Sequence, residues 1–266
     1  MRRWLAVFSI VLGSLCGPTA AQDFDLPVDV ELVLLVDVSG SMDHEEHTVQ
    51  RQGYVQALGH PDFVRAVLSG GLQRVALTYV EWAGPDRHAV VLPWTVVADD
   101  EDALRVSDFL ATAPINFMRG TSISSALDFA LPLFDANGFE GVRRVIDISG
   151  DGPNNMGLPI VPARDRVLAA GITINGLPIM IRPSLRAGPA SPGLDDYYRD
   201  CVIGGSGAFV LPVTELDEMA EAVRQKLILD IAGLPEQAFG VIPAQAGASV
   251  DCMIGERQRR GFWQHP

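Results

Sequence analysis

Between Leu32 and Val36 the chain runs through five apolar residues and then breaks at once into Asp37-Val-Ser-Gly-Ser41. A short apolar run closed by turn residues is the mark of a strand buried on both faces. Segments of this kind alternate along the chain with helix-like ones. That order predicts an α/β fold, Rossmann-like and doubly wound, with a mostly parallel sheet, one antiparallel edge strand and helices on both faces.

The strands are expected near 31–36, 74–82, 88–93, 142–149, 172–179 and 208–213. Gly84 and Pro85 join the second and third in a hairpin-like connection, which makes the antiparallel edge. Helices are expected over 43–58 and 61–68, from the acidic start at 99–102 to about 112, from Thr121 onwards, over 161–170, and from a Thr214 cap to about 231. In the Thr121 helix, Ile123, Ala126, Leu127, Ala130, Leu131 and Phe134 recur at steps of three and four, so one face is buried; Pro132 spoils the last turn. The segment 182–207, rich in Pro, Gly and Ser, reads as a long loop. The tail after Gly233 and Pro235 has little periodicity.

Arg2 and Arg3, the apolar stretch Trp4 to Leu15 and small residues up to Ala21 read as a secretory leader, residues 1–21, cut after Ala21. The expected product is periplasmic or secreted, with a domain over 22–234 and a tail over 235–266. No later segment offers the roughly 18 uninterrupted apolar residues of a membrane helix. Without the two leader arginines, 18 basic residues face 33 acidic ones, a net charge of −15 that repels nucleic acid. Cys16 leaves with the leader, and the remaining pair, Cys201 and Cys252, is expected to form a disulfide in an oxidising compartment. Two separate buried thiols are the alternative. Neither has a Cys or His at a zinc-ligand spacing.

In open parallel sheets, ligands gather beyond the carboxyl ends of the strands. Three loops bring oxygen atoms there: Asp37-Val-Ser-Gly-Ser41, Gly120-Thr-Ser122 and Ser149-Gly-Asp-Gly152. Carboxylate and hydroxyl donors without thiol or imidazole make a hard site, suited to Mg²⁺, with Mn²⁺ or Ca²⁺ as substitutes. Taken singly, each loop is also an ordinary turn or helix cap. Their joint placement at strand ends argues for a metal.

With these three motifs in this order, the chain resembles the von Willebrand factor type A domain with its metal-ion-dependent adhesion site, over about 29–234. The resemblance implies that Ser39 and Ser41 bind the cation directly, Thr121 directly or through water, and Asp151 mostly through water, with Asp37 anchoring the first loop. A carboxylate from a protein partner, an Asp or Glu side chain, would complete the sphere. The phrases Val80-Glu-Trp-Ala-Gly84, Ile148-Ser-Gly-Asp-Gly-Pro-Asn-Asn155 and Tyr197-Tyr-Arg-Asp-Cys-Val-Ile-Gly204 are similar, more narrowly, to a secreted bacterial subgroup of unassigned function.

Other features read more plainly. Asp147, inside a strand, is expected to pair with Arg143 or Arg144, with a place behind the metal as the alternative. His44-Glu-Glu-His47 reads as a solvated helix start rather than a second metal site, and Trp82 as core rather than groove. Arg257, Arg259, Arg260, Phe262 and Trp263 are candidates for partner contact. The expected function is a metal-dependent protein-binding module and not an enzyme. The alternatives are a metal-assisted hydrolase and a metal-free structural domain; the motifs supply no second metal, assigned base or nucleophile elbow for hydrolysis. A change of ligands at Thr121 would move the Gly120 loop and the final helix.

Overall fold

The structure is a computed structural model that describes residues 25–181, 193–233, 240–244 and 250–263. Its frame is β1 (Leu26–Asp37), which starts earlier than its apolar centre suggests because Val28 and Val30 are also buried and Leu26 pairs with Phe139. After it come α1 (His44–Leu58), α2 (Pro61–Leu68), β2 (Val75–Trp82), β3 (His88–Val97), α3 (Asp100–Thr112), α4 (Ile123–Ala130) and β4 (Phe139–Gly150). The chain continues through α5 (Ile160–Ala169), β5 (Thr173–Pro178), α6 (Leu194–Tyr197), β6 (Phe209–Val210), α7 (Met219–Ala232), β7 (Ile242–Pro243) and α8 (Ile254–Trp263).

The sheet order is β3-β2-β1-β4-β5-β6-β7. β1 pairs in parallel with both β2 and β4, and β3 is the expected antiparallel edge. The tail adds β7, antiparallel to β6, at the other edge. Side chains alternate across a strand, and both faces of β1 are covered. Val30, Leu32, Leu34 and Val36 pack with α1, α2, α3 and α7 through Tyr54, Phe63, Leu110 and Leu227. Val33 and Leu35 face the other layer, with Ile123, Leu127, Ile160, Val167 and Tyr197.

Helix starts follow local chemistry. Asp43 accepts from the N–H of Glu46 while the Glu46 carboxylate accepts from the N–H of Asp43, a reciprocal cap that satisfies two otherwise orphaned donors. Asp99 caps α3 by accepting from the N–H of Asp102, whose own carboxylate accepts from the N–H of Ala98. Thr214, in contrast, does not cap α7: the tight turn Leu216–Glu218 intervenes, and Glu218 precedes the helix. The strand expected over 208–213 is regular at Phe209 and Val210, with a separate parallel bridge from Val213 to Ile179.

The expected loop 182–207 contains structure. From Leu194 the chain forms α6 and then a wider helical turn, Tyr198–Val202, which buries Tyr197, Tyr198, Cys201 and Val202. Cys201 is joined to Cys252 by a disulfide, with Cα atoms 5.4 Å apart. The tail therefore returns to the body. No helix among the described residues is long and apolar enough to cross a membrane. The leader, residues 182–192 of the expected loop and the side chains of Phe262 and Trp263 lie outside the described residues.

Candidate metal centre

β1 and β4 run side by side with Val36 opposite Ser149, so their carboxyl ends release the first and third loops next to each other. In the first loop, Oδ1 of Asp37 accepts from the N–H of Ser39 at 2.8 Å, which folds the turn back on the strand end. The hydroxyls of Ser39 and Ser41 lie 2.9 Å apart, and the Ser41 hydroxyl donates to Oδ1 of Asp151 at 2.7 Å. The side-chain oxygens of Ser39, Ser41 and Asp151 thus form a chain, and Asp37 joins it through the backbone N–H of Ser39.

Thr121 joins through the backbone. Its carbonyl accepts from the N–H groups of Asn155 and Met156 at 3.0 and 3.1 Å, which ties the second loop to the third. The N–H of Met118 donates to the carbonyl of Val38 at 3.1 Å, which ties it to the first. The N–H of Ser122 donates to the carbonyl of Ala83 just past β2. A side chain at Gly84 would put its Cβ 2.5 Å from the carbonyl oxygen of Arg119, so this position needs glycine for close backbone approach.

Burial is graded across the site. Asp37, Ser39 and Thr121 are buried, Asp151 is half-buried and Ser41 is exposed. The oxygens therefore form a floor below an open mouth. Oδ2 of Asp37 is buried with no hydrogen-bond partner among the described residues. Burial, and then the facing carboxylate of Asp151, push the Asp37 carboxyl well above the usual range, partly offset by the Ser39 N–H. An unpaired buried carboxylate oxygen facing a second carboxylate is costly unless positive charge meets it. Two carboxylates and three hydroxyls suit a hard divalent cation. Among the described residues no group of three or more His, Cys, Asp or Glu stands together as a metal cluster of its own.

Several supporting residues carried no mark in the sequence motifs. Gln50 of α1 donates to the Asp37 carbonyl at 3.3 Å, and Tyr54 donates to the Ser149 hydroxyl at 3.4 Å. A Cβ at Gly150 would meet Oη of Tyr198 at 2.8 Å and Oδ2 of Asp37 at 3.0 Å, which places the Tyr198 phenol beneath the site. Asn154 accepts from the N–H of Ser124 at 3.0 Å and donates to Glu256 of α8 at 2.7 Å, while Arg259 reaches the Asn155 carbonyl. Part of the tail braces the third loop. Of these, only Asn154 and Asn155 follow directly on a motif; Gln50, Tyr54, Tyr198, Glu256 and Arg259 lie on other elements.

Two expectations change. His47 is buried rather than solvated: its ring meets Phe117 edge-on at 5.3 Å, and His44 packs on the same ring. Burial lowers the His47 pKa. Asp147 pairs with Lys226 of α7 at 2.8 Å, not with Arg143 or Arg144, whose guanidinium groups donate to the carbonyls of Ile231 and Ala170. Trp82 is wholly buried, as expected of a core strand residue.

This sheet order and helical layering define a von Willebrand factor type A fold, and solved structures agree. The proximal thread matrix protein 1 of the mussel byssus, in a form described as having a zinc-occupied MIDAS motif, superposes with a TM-score of 0.58 at 15% identity over 78% of this chain and 49% of that one. The von Willebrand factor type A protein of Catenulispora acidiphila gives 0.53 at 16% identity, over 77% and 43%. The vWF domain of the type V pili tip protein Mfa5 from Porphyromonas gingivalis gives 0.53 at 10%, over 80% and 98%. The chain spans about half or less of the first two. Within this fold, residues 27–235 match the family described as Protein of unknown function (DUF1194), and the chain belongs to that family. No curated protein matches it.

Proposed function

We propose that this chain is an extracytoplasmic, metal-dependent protein-binding module. Asp37, Ser39, Ser41, Thr121 and Asp151 would hold one hard divalent cation, Mg²⁺ in the first instance. The cation would supply an open coordination position for an Asp or Glu side chain of a protein partner. The observation that carries this reading is the buried Oδ2 of Asp37, left without a partner under a chain of hydroxyl and carboxylate oxygens.

The protein's own residues do the positioning. The Ser39 N–H fixes the Asp37 carboxylate, Gln50 holds the backbone behind it, and Asn155 holds Thr121 against the third loop. A thread matrix protein of the same fold with a zinc-occupied MIDAS motif, and a pilus tip protein of the same fold, support a binding rather than a bond-breaking role. The leader expected at residues 1–21 and the Cys201–Cys252 disulfide support export to an oxidising compartment.

The test is calorimetric titration of the purified chain with Mg²⁺, Mn²⁺ and Ca²⁺, followed by capture from an envelope extract with and without chelator. A single cation site, lost in Asp37→Ala, and a chelator-sensitive partner are expected. Cation binding that survives Asp37→Ala, or capture indifferent to chelator, would overturn the reading.

A further inference from the structure

The core between β4 and α7 holds a second polar group that the candidate metal centre does not use. Lys226 of α7, Asp230 one turn later and Asp147 of β4 are each no more than 1% exposed. Nζ of Lys226 donates to Oδ1 and Oδ2 of Asp230 at 2.8 and 2.9 Å. The same nitrogen lies 2.8 Å from Oδ1 of Asp147, yet neither Asp147 oxygen has an aligned hydrogen-bond partner among the described residues. The amine thus faces the Asp147 carboxyl while its hydrogen bonds are committed to Asp230.

The surrounding residues are buried as well. From β5, Asn175 donates to Oδ1 of Asp230 at 2.7 Å, and its own Oδ1 accepts from the N–H of Phe209. The Phe209 ring covers Nζ at 4.8 Å from its centroid. Tyr54 of α1 approaches from the other side. One ammonium cannot neutralise two buried carboxylates, so one of them keeps a proton. Burial first, and Asp230 against the counter-pull of Lys226, raise the Asp147 carboxyl to about 7. A protonated acid, an amine at contact distance and a second carboxylate fixed beside both are the parts of an amide-forming reaction.

We propose that Lys226 and Asp147 join in an intramolecular isopeptide bond, with Asp230 carrying the protons. The Lys226 ammonium gives one proton to Asp230, and the neutral Nζ attacks Cγ of protonated Asp147. A C–N bond forms and a tetrahedral carbon results. Asp230 passes a proton from nitrogen to the departing hydroxyl, the C–O bond breaks, and water leaves. The balance is the Lys226 ammonium plus the protonated Asp147 carboxyl giving amide plus water, with the surplus proton left on Asp230 and no oxidant or reductant. Exclusion of solvent from this core opposes the reverse hydrolysis. The bond ties α7, the last helix of the family match, to the strand that delivers Asp151. It stands or falls independently of cation binding.

Intact-mass spectrometry of the full, disulfide-reduced, folded chain decides it. The expected mass is one water lighter than that calculated from the sequenced amino terminus, and a branched peptide should join the segments around 147 and 226. Lys226→Arg should retain the full mass. Asp147→Asn should react with loss of ammonia in place of water. A folded wild-type chain of full mass would overturn the proposal, as would a water loss that persists in Lys226→Arg.

Discussion

Nδ2 of Asn154 donates to Oε1 of Glu256 at 2.7 Å, a contact that links the third loop of the candidate metal centre to a helix residue 102 positions further along. Gly255 sits so close to the Asn154 carbonyl that a Cβ there would lie 2.1 Å from it. The pair is buried, so removing the acceptor strands the amide. Glu256→Ala should cost about 1–3 kcal/mol in stability. Because Asn154 also holds the start of α4, its cation affinity should fall as well, by about tenfold. Paired denaturation and Mn²⁺ titration check both effects.

The unpartnered oxygen of Asp37 makes a prediction of opposite sign. Asp37→Asn removes a buried charge next to Asp151, so the metal-free variant should be more stable than wild type at neutral pH, by about 1–3 kcal/mol. Wild type should instead gain about 2.7 kcal/mol from a cation at a hundred times its dissociation constant, and the variant nothing. Thermal unfolding with Mg²⁺ and with chelator measures the crossing.

Gly84 is a steric test at a residue that is not itself a candidate ligand. Gly84→Ala would press on the Arg119 carbonyl, part of the backbone rather than a side chain that can turn away, so the second loop must shift. A cost of about 1–3 kcal/mol is expected from such crowding. Displacement of Thr121 should weaken cation binding while the sheet stays intact, which far-ultraviolet circular dichroism together with titration can separate.

The histidines set an acid limit. Burial lowers the pKa values of both His47 and His88 from 6.5, so the folded chain takes up fewer protons than the unfolded one in that range. Their stabilising contribution is complete above about pH 6.5 and is lost as pH falls through the lowered folded values. The urea midpoint should therefore drop on acidification from about pH 6.5 to 5. In His88→Phe the drop should be smaller, because the replacement keeps the stacking on Phe129, whose ring centroid is 4.6 Å away, without the proton uptake.

The alternation of apolar runs and helical periods made the sheet legible, and Asp37, Ser39, Ser41 and Asp151 could be read as one site because each sits at a strand end. What stayed hidden depends on contacts across distance. Composition marked 182–207 as loop, although Tyr197, Tyr198, Cys201 and Val202 bury a short helix; glycine and proline on either side outweighed their spacing. Asp147 looked towards its sequence neighbours Arg143 and Arg144, but alternation along β4 and the approach of α7 gave it Lys226. Thr214 has the chemistry of a cap, yet the turn at 216–218 delays the helix beyond its reach.

The family match ends at residue 235, whereas the buttress under Asn154 and Asn155 comes from residues 256 and 259, pinned through Cys252. A fragment trimmed to the recognisable outline would keep every candidate oxygen and forfeit the prop that steadies one of the three loops. The inherited silhouette and the mechanical unit are different lengths of chain, and an experiment built on the shorter one would measure a slacker grip.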